Sequence, residues 1–166
     1  IDKITTASIT DANITTAKLA SGVLPANTPA FQAYRTALQS LSDNTWTKIQ
    51  NNVELFDTDG AYDHSTNYRF TIPSGKAGKY VIAVAVNIHD LGDAKYVQSA
   101  IYKNGSVIKE DIVSAGRTIP TSVKTITIDD ASVGDYYEAY VKNRHGTTRD
   151  LNYIYGNVFY AYKILT

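Results

Sequence analysis

From residue 30 onward the chain is cut by turn signals every eight to fifteen residues, and the pieces between them alternate with period two. That period sends successive side chains to opposite faces of a sheet, and no helix satisfies it. In "YVIAVAVNI", Tyr80, Ile82, Val84, Val86 and Ile88 form a bulky row, while Val81, Ala83, Ala85 and Asn87 form a small one. This predicts a central strand covered on both faces. "SAIYKNGSVIK" predicts a hairpin, because Asn104-Gly105 supplies the two positive-φ residues of a type I′ turn. "SVKTITIDD" and "YYEAYVKN" flank Val133-Gly134-Asp135 and predict a second antiparallel pair. The closing "NVFYAYKIL" sets Phe159, Ala161 and Leu165 against Val158, Tyr160, Tyr162 and Ile164. No helical period is sustained after residue 40. The expected fold class is all-β, an antiparallel jelly-roll sandwich of about ten strands over residues 30–166.

Residues 1–24 follow another rule. Ile4, Ile9, Ile14, Leu19 and Leu24 are each five residues apart. Five helical steps rotate by about 500°, which leaves no apolar stripe, and an odd repeat flips faces in a strand. The segment must turn within each unit or wind around partners, as fibrous shafts do. One reading is the square β-helix of pentapeptide-repeat proteins, but the segment supplies barely one coil with nothing to stack on. The favoured reading is a trimeric stem, in which Ile4, Ile9, Ile14, Leu19 and Leu24 from three chains meet on a common axis. A Thr-rich leader without fixed structure is the remaining alternative. Pro25 and Pro29 then mark residues 25–29 as a semi-rigid linker to the head domain, 30–166.

Several short motifs after residue 30 resemble the globular-head family of complement q-subcomponent, within the tumour necrosis factor superfamily. They are "PAFQAY", "GAYDHSTNYRFTIPSGKAGKYVIAVAV", "SAIYKNGSVI", "ASVGDYYEAYV" and "VFYAYKIL". The matching positions run in order from Gly60, Tyr62 and Asp63 through Thr66, Phe70, Pro73, Gly78 and Tyr80. They continue with Lys103-Asn104-Gly105 and Val133-Gly134-Asp135, and end at Phe159. "SGKA" lengthens the stretch before Gly78, and Ala161 stands where that family usually has Gly. The resemblance implies a ten-stranded jelly roll that assembles as a compact homotrimer, with aromatic side chains near the threefold axis. The leader in turn resembles stretches that precede the heads of bacteriophage fibre proteins. Both resemblances ask for the same symmetry.

Composition narrows the function. Lys plus Arg and Asp plus Glu both total 16, so the basic excess that nucleic-acid binding requires is missing. The longest apolar run, Tyr80–Val86, is far short of the ~20 residues of a bilayer span, so no membrane insertion is expected. Cysteine is absent, which excludes disulfides, thiolate metal sites and a Cys nucleophile. The 13 tyrosines are expected chiefly as aromatic filling of the sandwich core. His64, His89 and His145 are scattered, with no metal-ligand spacing. "DTDG" at 57–60 hints at a calcium loop but has Tyr68 where an EF-hand needs its bidentate Glu. Asp90 with Asp93, or Asp129 with Asp130, could be nominated for glycoside cleavage but read as solvated turn acids. No nucleophile elbow or phosphate loop exists. No catalytic residue, cofactor or metal is expected.

Binding is the better expectation. With both termini at the base of the resembled fold, the last strand runs toward the base. The connection before it, 144–152, then lies at the far tip together with 114–121 and 89–95. The candidate receptor-binding residues are His89, Asp90, Asp93, Lys95, Arg117, Thr118, Arg144, His145, Thr147, Arg149 and Asp150. Exposed loops of rigid scaffolds commonly carry such polar mixtures whether or not they bind. The expected function is a bacteriophage tail-fibre protein, located on the extracellular virion, whose trimeric head binds a host-surface glycan or protein. Its stem would join other fibre or tail proteins. A purely structural fibre, capsid fibre or decoration protein, and a secreted bacterial surface protein with a similar head, remain as alternatives.

Overall fold

A computed structural model of the protein describes residues 27–88, 95–115, 121–151 and 156–165. The stem positions Ile4, Ile9, Ile14, Leu19 and Leu24 lie outside the described residues. The strands are β1 (Ala30–Tyr34), β2 (Gln39–Leu41), β3 (Thr47–Lys48), β4 (Val53–Asp57), β5 (Tyr62–Asp63), β6 (Arg69–Thr71) and β7 (Gly78–Ile88). They continue with β8 (Lys95–Lys103), β9 (Ser106–Ala115), β10 (Thr121–Ala131), β11 (Tyr136–Arg144), β12 (Arg149–Leu151) and β13 (Val158–Leu165).

Two sheets face each other. One runs β10-β7-β13-β1-β4, the other β5-β6-β11-β8-β9, with β3 added beside β11 and β12 paired to β2. Every strand pairing is antiparallel. The expected all-β jelly roll is therefore what the chain forms, and its two main runs contain the ten strands of the expectation. The predicted central strand is β7, flanked by β10 and β13, with Tyr80, Ile82, Val84, Val86 and Ile88 buried in the core. It is covered by a sheet on that face only, since its small row of Val81, Ala83 and Ala85 lies on the outer face. The centre of the core is aromatic. Phe31 stacks on Tyr62 at 4.6 Å and on Phe70 at 4.8 Å, and meets Phe159 edge-on at 5.1 Å.

The Asn104-Gly105 hairpin is present between β8 and β9, with φ of 52° and 81° at its two central residues. The second predicted pair is not. β10 belongs to one sheet and β11 to the other, so Val133-Gly134-Asp135 carries the chain across the end of the sandwich. The reason is that the inward rows of both strands line one core, Val123, Thr125 and Ala131 from β10 and Tyr137, Ala139 and Val141 from β11, with the Thr125 hydroxyl bonded across the sandwich to Ser99 at 2.6 Å. Those rows fill one core from opposite walls. The turn's backbone bonds go to Ile72 instead, from Gly134 N–H at 3.0 Å and to Asp135 C=O at 2.9 Å.

The tyrosine expectation also needs correction. Of the described tyrosines only Tyr62, Tyr80 and Tyr137 belong to the buried core. The period-two rule sends Tyr34, Tyr160 and Tyr162 to the outer face of one sheet and Tyr96, Tyr102, Tyr136 and Tyr140 to the outer face of the other.

Two of the resemblance motifs, Lys103-Asn104-Gly105 and Val133-Gly134-Asp135, meet at one end. Lys103 Nζ lies 2.7 Å from Asp129 and 3.0 Å from Asp135, and Tyr137 donates its hydroxyl to Asp129 at 2.5 Å. The Asn104 amide donates to Asp135 at 2.8 Å and its Oδ1 accepts from Tyr136 N–H at 2.9 Å. Two turns remote in sequence are thus tied together, which explains why those residues form a pattern. The "SGKA" extension closes the same end. The Lys76 carbonyl accepts the Tyr80 hydroxyl at 2.5 Å, while its ammonium reaches Asp59 at 3.1 Å and Thr28 at 2.8 Å. Burial pushes the Tyr80 phenol up to about 12, keeping it a donor at neutral pH. "DTDG" is a turn, not a cage: Asp57 accepts from the backbone of Asp59 and Tyr62, and Asp59 pairs with Lys76.

Candidate functional site

Two surfaces stand out, the tip and one sheet face. The tip is built by topology. Ile88 at the end of β7 faces Thr121 at the start of β10, and Tyr96 near the start of β8 faces both Ser114 and Arg144. The connections 89–94, 116–120 and 145–148 therefore start and finish at one end of the sandwich. The Asn104-Gly105 and Val133-Gly134-Asp135 turns and the start of β1 lie at the other, as Pro29 accepting from Lys163 N–H also requires. His89, Asp90, Asp93, Arg117 and Thr118 lie outside the described residues; Lys95, Arg144, His145, Thr147, Arg149 and Asp150 lie within them.

The described tip residues form a small basic cluster. Arg149 donates to His145 Nε2 at 2.6 Å, which leaves the ring proton on Nδ1 for Thr147 Oγ1 at 2.9 Å. The loop is pinned beneath. Asn143 donates to the Leu41 and Ser42 carbonyls at 2.7 and 3.2 Å, and Asp43 accepts Gly146 N–H at 2.7 Å. The Lys95 ammonium lies alongside Gly146, where an added Cβ would approach it to 3.9 Å. Burial, reinforced by Arg149 and Lys95 and opposed by Asp43, holds the His145 imidazole below its ordinary value. It is therefore neutral at neutral pH, leaving two cations beside an acceptor-donor ring. Arg149 Nε is buried with no hydrogen-bond partner among the described residues. Such an arrangement can receive an anionic or hydroxyl-rich group. Asp150 is not part of the cluster: it sits on β12 opposite Ser40.

The second surface is the outer face of β10-β7-β13-β1-β4. Register aligns its side chains in rows that cross the sheet. One row runs Phe56, Gln32, Tyr160, Ala83, Ile126; the next runs Ala30, Tyr162, Val81, Ile128. Tyr34, Val158, Ala85 and Lys124 make a third. Gln32 and Lys124 are the polar members apart from the tyrosine hydroxyls. The polar groups gather at the ends, with Lys79 paired to Asp130 at 3.2 Å toward the base and Asn87 bonded to Ser122 at 2.8 Å toward the tip. The alanines leave a shallow groove of about 130 Å³ between Tyr160 and Ile126. An apolar centre inside a polar rim is the anatomy of a protein–protein interface. The small row in "YVIAVAVNI" carried this signal, but its lateral neighbours on β10 and β13 are remote in sequence and could not be read.

Among the described residues no three His, Asp or Glu side chains come together as a metal site. Asp129 and Asp130 point to opposite sides of β10, held by Lys103 and Lys79 respectively.

No protein-family model matches the sequence, and no curated protein matches it. Solved structures do match the fold. The globular domain of zebrafish complement 1qA protein superposes with a TM-score of 0.58 at 13% identity, covering 82% of this chain and 98% of that one. Murine APRIL gives 0.63 at 11% identity, covering 82% and 98%. Eiger TNF from S. frugiperda gives 0.61 at 11% identity, covering 84% and 94%.

Proposed function

We propose that the chain is the distal part of a bacteriophage fibre, a homotrimer whose jelly-roll head attaches the virion to a bacterial surface. The observation that carries the reading is the laterally aligned apolar face of the β10-β7-β13-β1-β4 sheet. A monomer that leaves Phe56, Ile126 and Ile128 in water beside a row of tyrosines has a surface shaped for its own kind. The pentad leader supports threefold symmetry, since a single narrow repeat cannot shield its own apolar ridge. It is also the part that would join the remainder of the fibre. Attachment is assigned to the tip, where Lys95, His145, Thr147 and Arg149 meet, and the partner is a host-surface glycan or protein. The reading includes no catalysis. One weak contact per protomer becomes strong attachment when repeated three times in a head and again over a particle.

The same apolar face favours a second reading, a structural fibre or decoration protein whose head only sets trimer registration. One experiment separates them. The purified full chain is sized by native mass spectrometry, and its binding to host cells is compared with that of Arg149→Ala. Trimers whose cell binding falls with Arg149→Ala support attachment at the tip. Trimers that bind no cells leave the structural reading, and a monomer at micromolar concentration refutes both.

A further inference from the structure

We propose a second glycan site on the flank of the head, at an aromatic wall formed by Trp46, Tyr102 and Tyr140 and completed by the amide of Gln98. It goes beyond the tip and the assembly face, because it lies on the outer face of the other sheet. It stands whether or not the tip binds.

The wall is assembled by register. Tyr140 on β11 sits opposite Ala100 on β8, so the neighbouring Tyr102 leans across the small residue onto it, with ring centroids 4.1 Å apart. Trp46, just ahead of β3, meets Tyr102 edge-on at 6.3 Å, and Lys142 Nζ caps its ring at 4.6 Å. None of the three aromatics belongs to the buried core. Neither tyrosine hydroxyl has a hydrogen-bond partner among the described residues. Burial, with Glu110 beside Tyr102 and Glu138 beside Tyr140, raises both phenols, so each keeps its proton.

A second, independent observation points to a ligand. Gln98 is opposite Lys142 on one side and Ile112 on the other, so it shares this face. It is only 9% exposed, yet its Oε1 is buried without a hydrogen-bond partner. A buried amide oxygen in that state costs about 1–3 kcal/mol of lost solvation, and occupants that donate a hydrogen relieve it. A depression of about 190 Å³ opens at that point, lined by Gln98, Glu110, Asp111 and Ile112. The wall thus offers π faces on one side, and an acceptor amide with the Glu110 carboxylate on the other. A pyranose ring has this same division, with apolar C–H groups on its face and hydroxyls around its edge. The net local charge is balanced, Lys142 against Glu110, with Lys48 paired to Glu138 and Lys109 paired to Asp111 at 3.4 Å, which favours a neutral hexose over an acidic sugar. Trp46, Tyr102 and Tyr140 are far apart in sequence, and only the β8–β11–β3 pairing joins them.

Trp46 is the one tryptophan of the chain, so its fluorescence reports this wall directly. The full chain is titrated with maltohexaose, cellohexaose and β(1→4)-galactohexaose up to about 20 mM, well above the millimolar affinity expected for one sugar on one wall. The expected result is a saturable change in emission with at least one of them. Tyr140→Leu, which keeps an apolar side chain but removes the ring, should weaken that binding at least ten-fold, and Gln98→Leu at least three-fold. Tyr140→Phe should retain stacking and stay within a few-fold of the parent, and so serves if Tyr140→Leu does not fold. The titration reads Trp46 on the flank and the cell-binding comparison reads Arg149 at the tip, so failure here and failure of the tip are distinguishable. The proposal is overturned if no sugar alters the emission, or if binding survives both Tyr140→Leu and Gln98→Leu. It is equally overturned if emission changes on dilution but not with sugar, since a second copy of the chain then covers the wall.

Discussion

Replacing Ile126 and Ile128 together by Glu tests the assembly face most directly. The two residues project from β10 onto that face, and 56% and 63% of their surfaces remain exposed in the protomer. Full burial of an isoleucine side chain stabilises by about 1.5–3 kcal/mol, so the exposed share is worth ~1–1.5 kcal/mol per residue when a neighbour covers it. For the pair this is about 2–3 kcal/mol per protomer, or ~6–9 kcal/mol per trimer. That amounts to about four to six powers of ten in the formation constant, before any cost of burying unpaired carboxylates. Little of the loss falls on the folded protomer, because both positions are half in water there. The assay is multi-angle light scattering on a sizing column at ~10 µM protein, with far-ultraviolet circular dichroism to verify folding. The double variant should elute as folded protomers where the parent elutes as a trimer. Val107→Glu is the matched control: Val107 is 49% exposed but projects from β9, in the opposite sheet, and its substitution should leave the trimer intact. If the double variant remains trimeric at that concentration, or the control dissociates equally, the assignment of this face is wrong.

Gly105→Ala should cost about 1–2 kcal/mol, seen as a melting temperature lower by ~2–8 °C in calorimetry. The strain is purely backbone, since φ is 81° and an added Cβ would meet nothing closer than the Tyr136 hydroxyl at 3.7 Å; an unchanged melting temperature would contradict it. Acid should weaken the base. Burial tends to raise the Asp135 carboxyl, but the Asn104 amide, Ser132 N–H and Lys103 outweigh it and hold the group below its ordinary value. A carboxylate depressed on folding contributes stability that is present above its unfolded pKa of ~4 and lost as pH falls through the folded one. Asp135→Asn should therefore lower the melting temperature at pH 7 and flatten its fall below about pH 4; a parallel curve would show that Asp135 does not carry the dependence.

The strands and the Asn104-Gly105 hairpin were legible because they depend on neighbours in sequence. Alternation sorts side chains between two faces, and an Asn-Gly pair relieves positive φ wherever it occurs. The tip was partly legible: counting antiparallel strands brings the 144–152 connection to the end shared by 89–95 and 114–121. The Arg149–His145–Thr147 hydrogen bonds were not, since they depend on how Asp43 and Asn143 pin the loop. The tyrosines misled because period two says that alternate residues separate, but not which face meets the core.

What the sequence determined by itself was the β class, the positions of β7 to β11 and β13, and the two-faced character of β7. Each follows from local sterics and a period of two. The tertiary structure decided that β10 and β11 part into opposite sheets, that Phe56, Gln32, Tyr160, Ala83 and Ile126 share one row, and that Trp46 finds Tyr102 and Tyr140. Those are matters of partner and register between distant segments. They are settled only when the inward rows of two sheets close on one core, and no short stretch of residues contains that meeting.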